Sequence, residues 1–379
     1  MTLFKKIIKA KFLSRPNRFL VNCIVDGSKI SAYLPNPGRL YELFFVNSTL
    51  YLEKNEKRDR KTKYTVVAVE RDNSPVMLHT HRTNDIVEYL IKKNLVPKLK
   101  NISEIRREVK FGKSRFDFSI MKENKRILLE VKSCTLFSKS VAMFPDAVTE
   151  RGKRHLEELA AISTKKCKNV VLFLVNAPEA KIFLPDYHTD PNFAETFLKI
   201  RGKLSIIPLA IKWNKNMEIN ESCIRQLKIP WNLLKKEFKD SGCYLIILKS
   251  PTDKILSIGR LGKICFKKGY YIYVGSAKKN LLKRIQRHHR EKKKLFWHID
   301  YIRKEMDFIT DFPVRTSQDL ECKLSKEIKK ISSGEIIGFG SSDCKCSSHL
   351  FYSEGNPLAE PKFMKLLLYY RLERLTTML

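Results

Sequence analysis

RFDFSIMKENKRILLEVKS, residues Arg115–Ser133, contains the pattern on which the rest of the chain turns. Two apolar or alternating runs flank the polar turn Lys122-Glu123-Asn124-Lys125, as in paired strands joined by a short connection. A turn centred between Glu123 and Asn124 sets Asp117 opposite Glu130. Side chains opposed in this way lie about 4.5–5.5 Å apart at Cβ, where like charges repel. A divalent cation removes that objection, because Mg²⁺ takes one or two carboxylates together with water and phosphate oxygens. Lys132 lies two residues beyond Glu130 and leaves the same face of the strand. Its ammonium would orient or activate a metal-bound water and offset phosphate charge. An isolated E-x-K carries little weight in a lysine-rich chain. The facing Asp117 adds weight, as do Phe116, Phe118, Leu128, Leu129 and Val131, among which an unpaired carboxylate would be costly. The set predicts phosphodiester hydrolysis with Mg²⁺ or Mn²⁺, the metal held by Asp117 and Glu130.

Outward from this hairpin the chain divides into regions. Residues 1–85 read as short strands with tight turns: Phe19–Val25 ends at Asp26-Gly27, then Lys29–Leu34, Ser48–Leu52 and Tyr64–Glu70 follow. That pattern predicts a small all-β barrel of the oligonucleotide-binding (OB) type. Asp85–Leu95 has helical spacing with Asn84 as N-cap, and strands and helices alternate to about Trp213. Residues 86–215 are therefore expected to form an α/β domain. Residues 216–240 read as a linker, 241–355 as a third compact unit, and 356–379 as a C-terminal helix broken at Pro361.

The chain has 379 residues, with 74 Lys+Arg against 40 Asp+Glu and a net charge of +34. Such an excess points to a polyanion, nucleic acid before a membrane surface. Residues 241–300 carry 15 basic against 3 acidic side chains, and residues 1–60 carry 12 against 5. No apolar run reaches the roughly 18 residues of a membrane span, and the Lys-interrupted N-terminus does not read as a secretory signal. Nine widely spaced cysteines argue against a disulfide framework and for a reducing, cytoplasmic setting.

An acidic residue, a gap and then (D/E)-x-K is the signature of the restriction-endonuclease-like fold. KSRFDF (Lys113–Phe118), LLEVKSCTL (Leu128–Leu136) and FPDAVTERGKRHLEEL (Phe144–Leu159) resemble the sugar fermentation stimulation protein family, as do PNPGRLYEL (Pro35–Leu43) and RTNDIVEYL (Arg82–Leu90). The resemblance spans roughly residues 10–215 and implies an OB barrel joined to a restriction-endonuclease-like domain. It also implies DNA binding, which favours DNA over RNA as partner. Carried over by position, Asp117 and Glu130 would hold the metal, Lys132 would position the water, and Arg115 would sit at the site edge. Arg151 and His155, at i and i+4 of an expected helix, would line the site or contact phosphate, and Arg39, after a Pro-Gly turn, would touch the nucleic-acid backbone.

The third unit opens with GCYLIIL (Gly242–Leu248) and continues as GYYIYVGSAKKNLLKRIQRHH (Gly269–His289). It resembles the GIY-YIG nuclease superfamily, with an extra hairpin at about Lys254–Lys268. By position Tyr244 and Tyr273 are the tyrosines, Arg284 the helical arginine, His288 its companion, and Glu321 the metal-binding glutamate. A tyrosine relays a proton where a neighbouring cation lowers its pKa, and arginine stabilises charge on the phosphate. Lys278, Lys279, Lys283 and Arg287 lie in the basic run Lys278–Lys294, read as a helix that contacts phosphate. The alternative is a DNA-binding or regulatory protein that keeps nuclease folds without cutting. Cys344-x-Cys346-x-x-His349 offers zinc-type ligands, but C-x-C is tighter than the usual spacing. Its fourth ligand is not evident, Cys322 and Asp343 being candidates, and structural cysteines are the preferred reading.

Overall fold

Residues 3–55, 61–112, 114–165 and 167–379 are described by a computed structural model. Lys113, the first residue of KSRFDF, lies outside them. The chain forms two compact units, Met1–Pro230 and Trp231–Leu379.

The first unit begins with β1 (Ile7–Asn17), β2 (Leu20–Val25), β3 (Ser28–Tyr33), β4 (Thr49–Lys54), β5 (Tyr64–Arg71) and β6 (Ser74–Met77). Asp26 and Gly27 both take positive φ, 46° and 78°, as the two-residue turn between β2 and β3 requires. The strand order is β3-β2-β1-β4-β5-β6, and β3 also pairs with β5, closing a five-stranded barrel. β1, which the Lys-broken N-terminal sequence hides, is its longest strand: it pairs with β2 on one side and β4 on the other.

Next come α1 (Thr83–Lys92), β7 (Glu104–Phe111), β8 (Ser114–Lys122), β9 (Lys125–Cys134), β10 (Leu136–Phe137), β11 (Val141–Phe144) and α2 (Glu150–Ala161). They are followed by β12 (Val170–Val175), β13 (Ile182–Pro185), α3 (Pro191–Lys199), β14 (Ser205–Ala210) and β15 (Arg225–Gln226). The main sheet has the order β15-β14-β12-β9-β8-β7, with β9, β12 and β14 parallel. β12 is buried throughout, as expected of a parallel strand covered on both faces. Ile86, Val87 and Leu90 of α1 pack with Phe118, Leu129, Val131 and Leu172 in one core. Residues 216–240 are not a free connector. β15 pairs with β14, and α4 (Trp231–Glu237) starts the second unit.

The second unit continues with β16 (Gly242–Ser250), β17 (Lys254–Ser257), β18 (Lys263–Phe266), β19 (Gly269–Ala277), α5 (Leu281–His289), α6 (His298–Arg303) and β20 (Asp307–Arg315). α7 (Glu321–Ile331), β21 (Gly334–Glu335), β22 (Leu350–Ser353) and α8 (Pro361–Arg371) complete it. Its sheet runs β20-β16-β19-β22-β21, and β17 and β18 form the separate hairpin. The basic run is helical only to His289; Arg290 is extended. Pro361 opens α8 rather than breaking it, because a first-turn proline lacks only an N–H that has no helical partner there. The C-terminal segment packs as part of this unit: Arg374 Nη2 donates to Glu237 Oε2 at 2.7 Å, both side chains buried. Among the described residues no helix is long and apolar enough to cross a membrane.

Candidate functional site

β9 lies between β8 and β12, with Val171 beside Glu130 and Phe173 beside Lys132. The β8–β9 ladder runs from Lys122↔Lys125 to Phe118↔Leu129, so Asp117 comes next, across from Glu130. There the strands part. The Val131 N–H donates to Asp117 Oδ2 at 2.7 Å instead of continuing the backbone ladder. Asn84 Nδ2 donates to Asp117 Oδ1 at 2.9 Å. Asn84 is not the N-cap of α1. That position belongs to Arg82, which puts Asn84 inside the first turn with its amide turned to the site.

Glu130 is only 2% exposed. Its Oε1 accepts from Lys132 Nζ and from His155 Nδ1 at 2.6 Å. Its Oε2 is buried and has no hydrogen-bond partner among the described residues. A buried anionic oxygen without a donor is costly, and a second carboxylate beside it makes the pair a hard-oxygen donor set. The residues present therefore fit a divalent cation. Burial, then the Glu130 charge, pushes the Asp117 carboxyl up, against the bonds from Asn84 and Val131. Burial would also raise Glu130, but His155 and Lys132 outweigh it and hold Glu130 below the ordinary glutamate range.

Thr149 caps α2, accepting from the Gly152 N–H at 3.1 Å, and so aims the helix that carries Arg151 and His155. His155 does not lie on an outer, phosphate-contacting face. It is 5% exposed, and Arg151 Nε donates to its Nε2 at 3.4 Å, so it belongs to the carboxylate cluster. Arg151 is exposed. Arg115 is exposed and paired with Glu108 at 2.8 Å. Arg39 is half-buried rather than a free loop residue. The Arg15 guanidinium ties its loop by donating to the carbonyls of Gly38 at 2.8 Å and Arg39 at 2.5 Å. The Arg39 charge acts on the buried Asp146 carboxyl, which burial pushes up.

In the second unit Tyr244 (β16), Tyr273 (β19) and His288 (α5) converge. Tyr244 Oη lies 2.9 Å from His288 Nε2, and the two tyrosine rings are 6.2 Å apart. Gly275 makes room, since a Cβ there would stand 2.5 Å from the Tyr244 ring. The structure does not supply the cationic activation of tyrosine that the sequence reading requires. Burial raises both hydroxyls, and the opposing charge of Arg284 does not offset it. Burial and then Lys293 push His288 down to about 3, so it faces Tyr244 as a neutral ring. Arg284 stacks over Trp297, 4.5 Å from the ring centroid.

Arg287 is not free for phosphate. It grips Asp300 through two bonds of 2.9 and 3.0 Å, and Lys293 joins at 2.9 Å. The fully buried Asp300 also accepts the N–H groups of Phe296 and Trp297, each at 3.0 Å. The sequence shows Asp300 only as one acidic residue near a basic run, so its hub role was not readable there. Lys278, Lys279 and Lys283 are exposed. Glu321 opens α7, where Oε2 accepts from Ser276 Oγ at 2.5 Å and Oε1 lies 3.4 Å from His349 Nδ1. Cys322, Cys344, Cys346 and His349 gather so that one ligand atom from each lies within 4.8 Å of the others. Cys322, from the neighbouring helix, is the fourth member that the C-x-C spacing alone did not supply.

Comparisons with known proteins agree with this layout. Residues 13–78 match the family described as SfsA N-terminal OB domain, residues 81–217 the Sugar fermentation stimulation protein RE domain, and residues 243–367 the Domain of unknown function DUF123. A sugar fermentation stimulation protein homolog of Methanothermobacter thermautotrophicus is 35% identical over 225 residues, 59% of this chain and 94% of that protein. A homolog from Clostridium kluyveri is 37% identical over 196 residues, 52% of this chain and 85% of that one. The solved structure of Pyrococcus furiosus SfsA in complex with Ca²⁺ matches with a TM-score of 0.55 and 27% identity, over 60% of this chain and 99% of that one. The chain belongs to the sugar fermentation stimulation protein family, and carries a GIY-YIG-like domain after the family's OB and RE domains.

Proposed function

We propose that this protein binds DNA and hydrolyses phosphodiester bonds with Mg²⁺ or Mn²⁺ at the Asp117–Glu130–Lys132 site, acting in the cytoplasm. The observation that carries the reading is Glu130 Oε2, a buried anionic oxygen with no donor among the described residues, placed beside Asp117 and Lys132. The Pyrococcus furiosus relative was solved in complex with Ca²⁺, a hard cation of the class that takes oxygen ligands. When bound, the metal would lower the pKa of a coordinated water and offset charge on the phosphate. Asp117 and Glu130 would hold it. His155 keeps the Glu130 carboxylate ionised and fixes its orientation, and Lys132, paired with Glu130, would offer its positive charge to the water and the phosphate. The exposed Lys278, Lys279 and Lys283 gather the phosphate backbone without reading sequence.

For the second unit the geometry favours binding without cutting. Its tyrosines are buried with raised pKa values, and Glu321 is engaged by Ser276 and His349. One experiment tests both units. The protein is incubated with single- and double-stranded DNA and RNA in Mg²⁺, Mn²⁺ or EDTA, alongside Glu130→Ala, Arg284→Ala and the double mutant. Metal-dependent DNA cleavage that disappears in Glu130→Ala and survives in Arg284→Ala supports the proposal. Binding without cleavage by the wild type overturns hydrolysis, and cleavage lost only in Arg284→Ala reassigns it to the second unit.

A further inference from the structure

The segment Gly338–His349, GFGSSDCKCSSH, joins β21 to β22 with no helix or strand of its own. Apart from Phe339 and the cysteines it has no apolar side chain, so hydrophobic burial alone gives it little to hold its shape. It nevertheless places Cys344, Cys346 and His349 against Cys322 in the first turn of α7. We propose that Cys322, Cys344, Cys346 and His349 bind one structural zinc ion, with Glu321 orienting His349 from behind.

Three observations support the site. The first is distance. With Zn–S of about 2.3 Å and Zn–N of about 2.0–2.1 Å, tetrahedral ligands stand roughly 3.6–3.8 Å apart. Cys344 Sγ lies 3.4 Å from His349 Nε2, and all four ligand atoms fall within 4.8 Å of one another, so small side-chain rotations close the tetrahedron. The second is chemistry. Three thiols and an imidazole form a soft donor set that selects zinc over the hard cations suited to Asp117 and Glu130. Four protein ligands leave no open position, which makes the site structural rather than catalytic. The three cysteines are available as ligands, since every cysteine of the chain is a free thiol.

The third is the outer contact. His349 is 2% exposed. Its Nε2 faces the thiols while its Nδ1 lies 3.4 Å from Glu321 Oε1. A carboxylate behind a ligand histidine sets its tautomer and raises its basicity. Glu321 adjoins Cys322, and its other oxygen is held by Ser276 of β19. The ion would thus tie the loop, the start of α7 and the strand that carries Tyr273 into one rigid piece. This assignment stands whether or not the second unit cuts nucleic acid.

The test uses the full-length protein purified under reducing conditions. Zinc is measured by colorimetric release on thiol modification, in the wild type and in Cys322→Ser, Cys346→Ser and Glu321→Gln. Cobalt is added to chelator-treated wild type and its visible spectrum is recorded. The expected result is one zinc per chain, and a cobalt form with thiolate charge transfer and tetrahedral d–d bands. Zinc should be lost in both serine variants and bound about 10–100-fold more weakly in Glu321→Gln. Reduced wild type that binds neither zinc nor cobalt with charge transfer overturns the proposal. So does full zinc retention in both serine variants. If the variants fail to fold, the wild-type zinc content and cobalt spectrum decide by themselves.

Discussion

Asp117 shows most directly how the proposed site trades stability for chemistry. Its carboxyl is pushed up by burial and by Glu130, so the ionised form needed for a metal is the form the fold disfavours. Asp117→Asn removes the like charge; its amide oxygen can still accept the Val131 N–H, and its NH2 can donate to Asn84 Oδ1 once the Asn84 amide turns over. The expected outcome is a Tm for the first unit higher by about 2–4 °C, the shift that about 1 kcal/mol produces in a domain of this size. The Tm increase that Mn²⁺ gives the wild type should be absent in the variant. Thermal unfolding with and without Mn²⁺ checks both, and an equal Mn²⁺ response in Asp117→Asn would remove the residue from the metal site. Its neighbour behaves oppositely. Glu130 is held low by His155 and Lys132, so His155→Ala leaves a buried carboxylate short of a donor, at a cost of about 1–3 kcal/mol. Urea midpoints at pH 7 should show the loss. Of this cluster the sequence revealed Asp117, Glu130 and Lys132 because strand alternation and a polar turn place them. It hid Asn84, whose side chain is both a good cap and a good partner, and whose choice depends on where α1 begins.

At the scale of elements, the ladder between β8 and β9 was legible because a hairpin register follows from its turn. β1 was not, because its burial comes from barrel closure rather than from a visible alternation. The segment after α5 departs from the helix its charge suggests for a related reason. Positive charge reads as a solvated helix, but Lys293 and Arg287 turn inward to Asp300, and the chain leaves the helix at His289 to reach it. That buried hub makes the second unit acid-sensitive. Burial would raise the Asp300 carboxyl, yet Arg287, Lys293 and two backbone N–H groups hold it at about 2, against an ordinary 3.8. A depressed carboxylate contributes stability that is present above 3.8 and lost as pH falls towards 2. His288, buried as a neutral ring at about 3 against 6.5, also loses its contribution on acidification, between 6.5 and 3. Unfolding of this unit should therefore become easier from pH 6.5 downwards, in two overlapping steps. Urea titrations at pH 7, 5 and 3 test this, and His288→Gln should flatten the upper step alone. Asp300→Asn strands Arg287 and Lys293, and should cost about 3–5 kcal/mol at neutral pH.

For the whole molecule, the net charge of +34 would draw a polyanion, and the proposed DNA contact falls to the basic side chains that are not already paired. Arg287 and Lys293 are spent on Asp300, while Lys278, Lys279 and Lys283 stand exposed around the start of α5. Each lysine that neutralises a phosphate releases a condensed counterion, so log affinity falls against log salt with a slope of about 0.9 per contact on duplex DNA. A triple Lys278→Ala, Lys279→Ala, Lys283→Ala variant should bind duplex DNA more weakly, with a slope shallower by about 2–3. It should lose affinity equally for unrelated sequences, because phosphate contacts carry no base information. Arg287→Ala should behave differently, lowering Tm by stranding Asp300 while leaving the slope of the folded protein unchanged. Fluorescence anisotropy of labelled duplexes between low and physiological salt separates the two. A slope that does not move in the triple variant would mean that the phosphate-contacting charge lies elsewhere in the chain, with the basic N-terminal barrel the next segment to substitute.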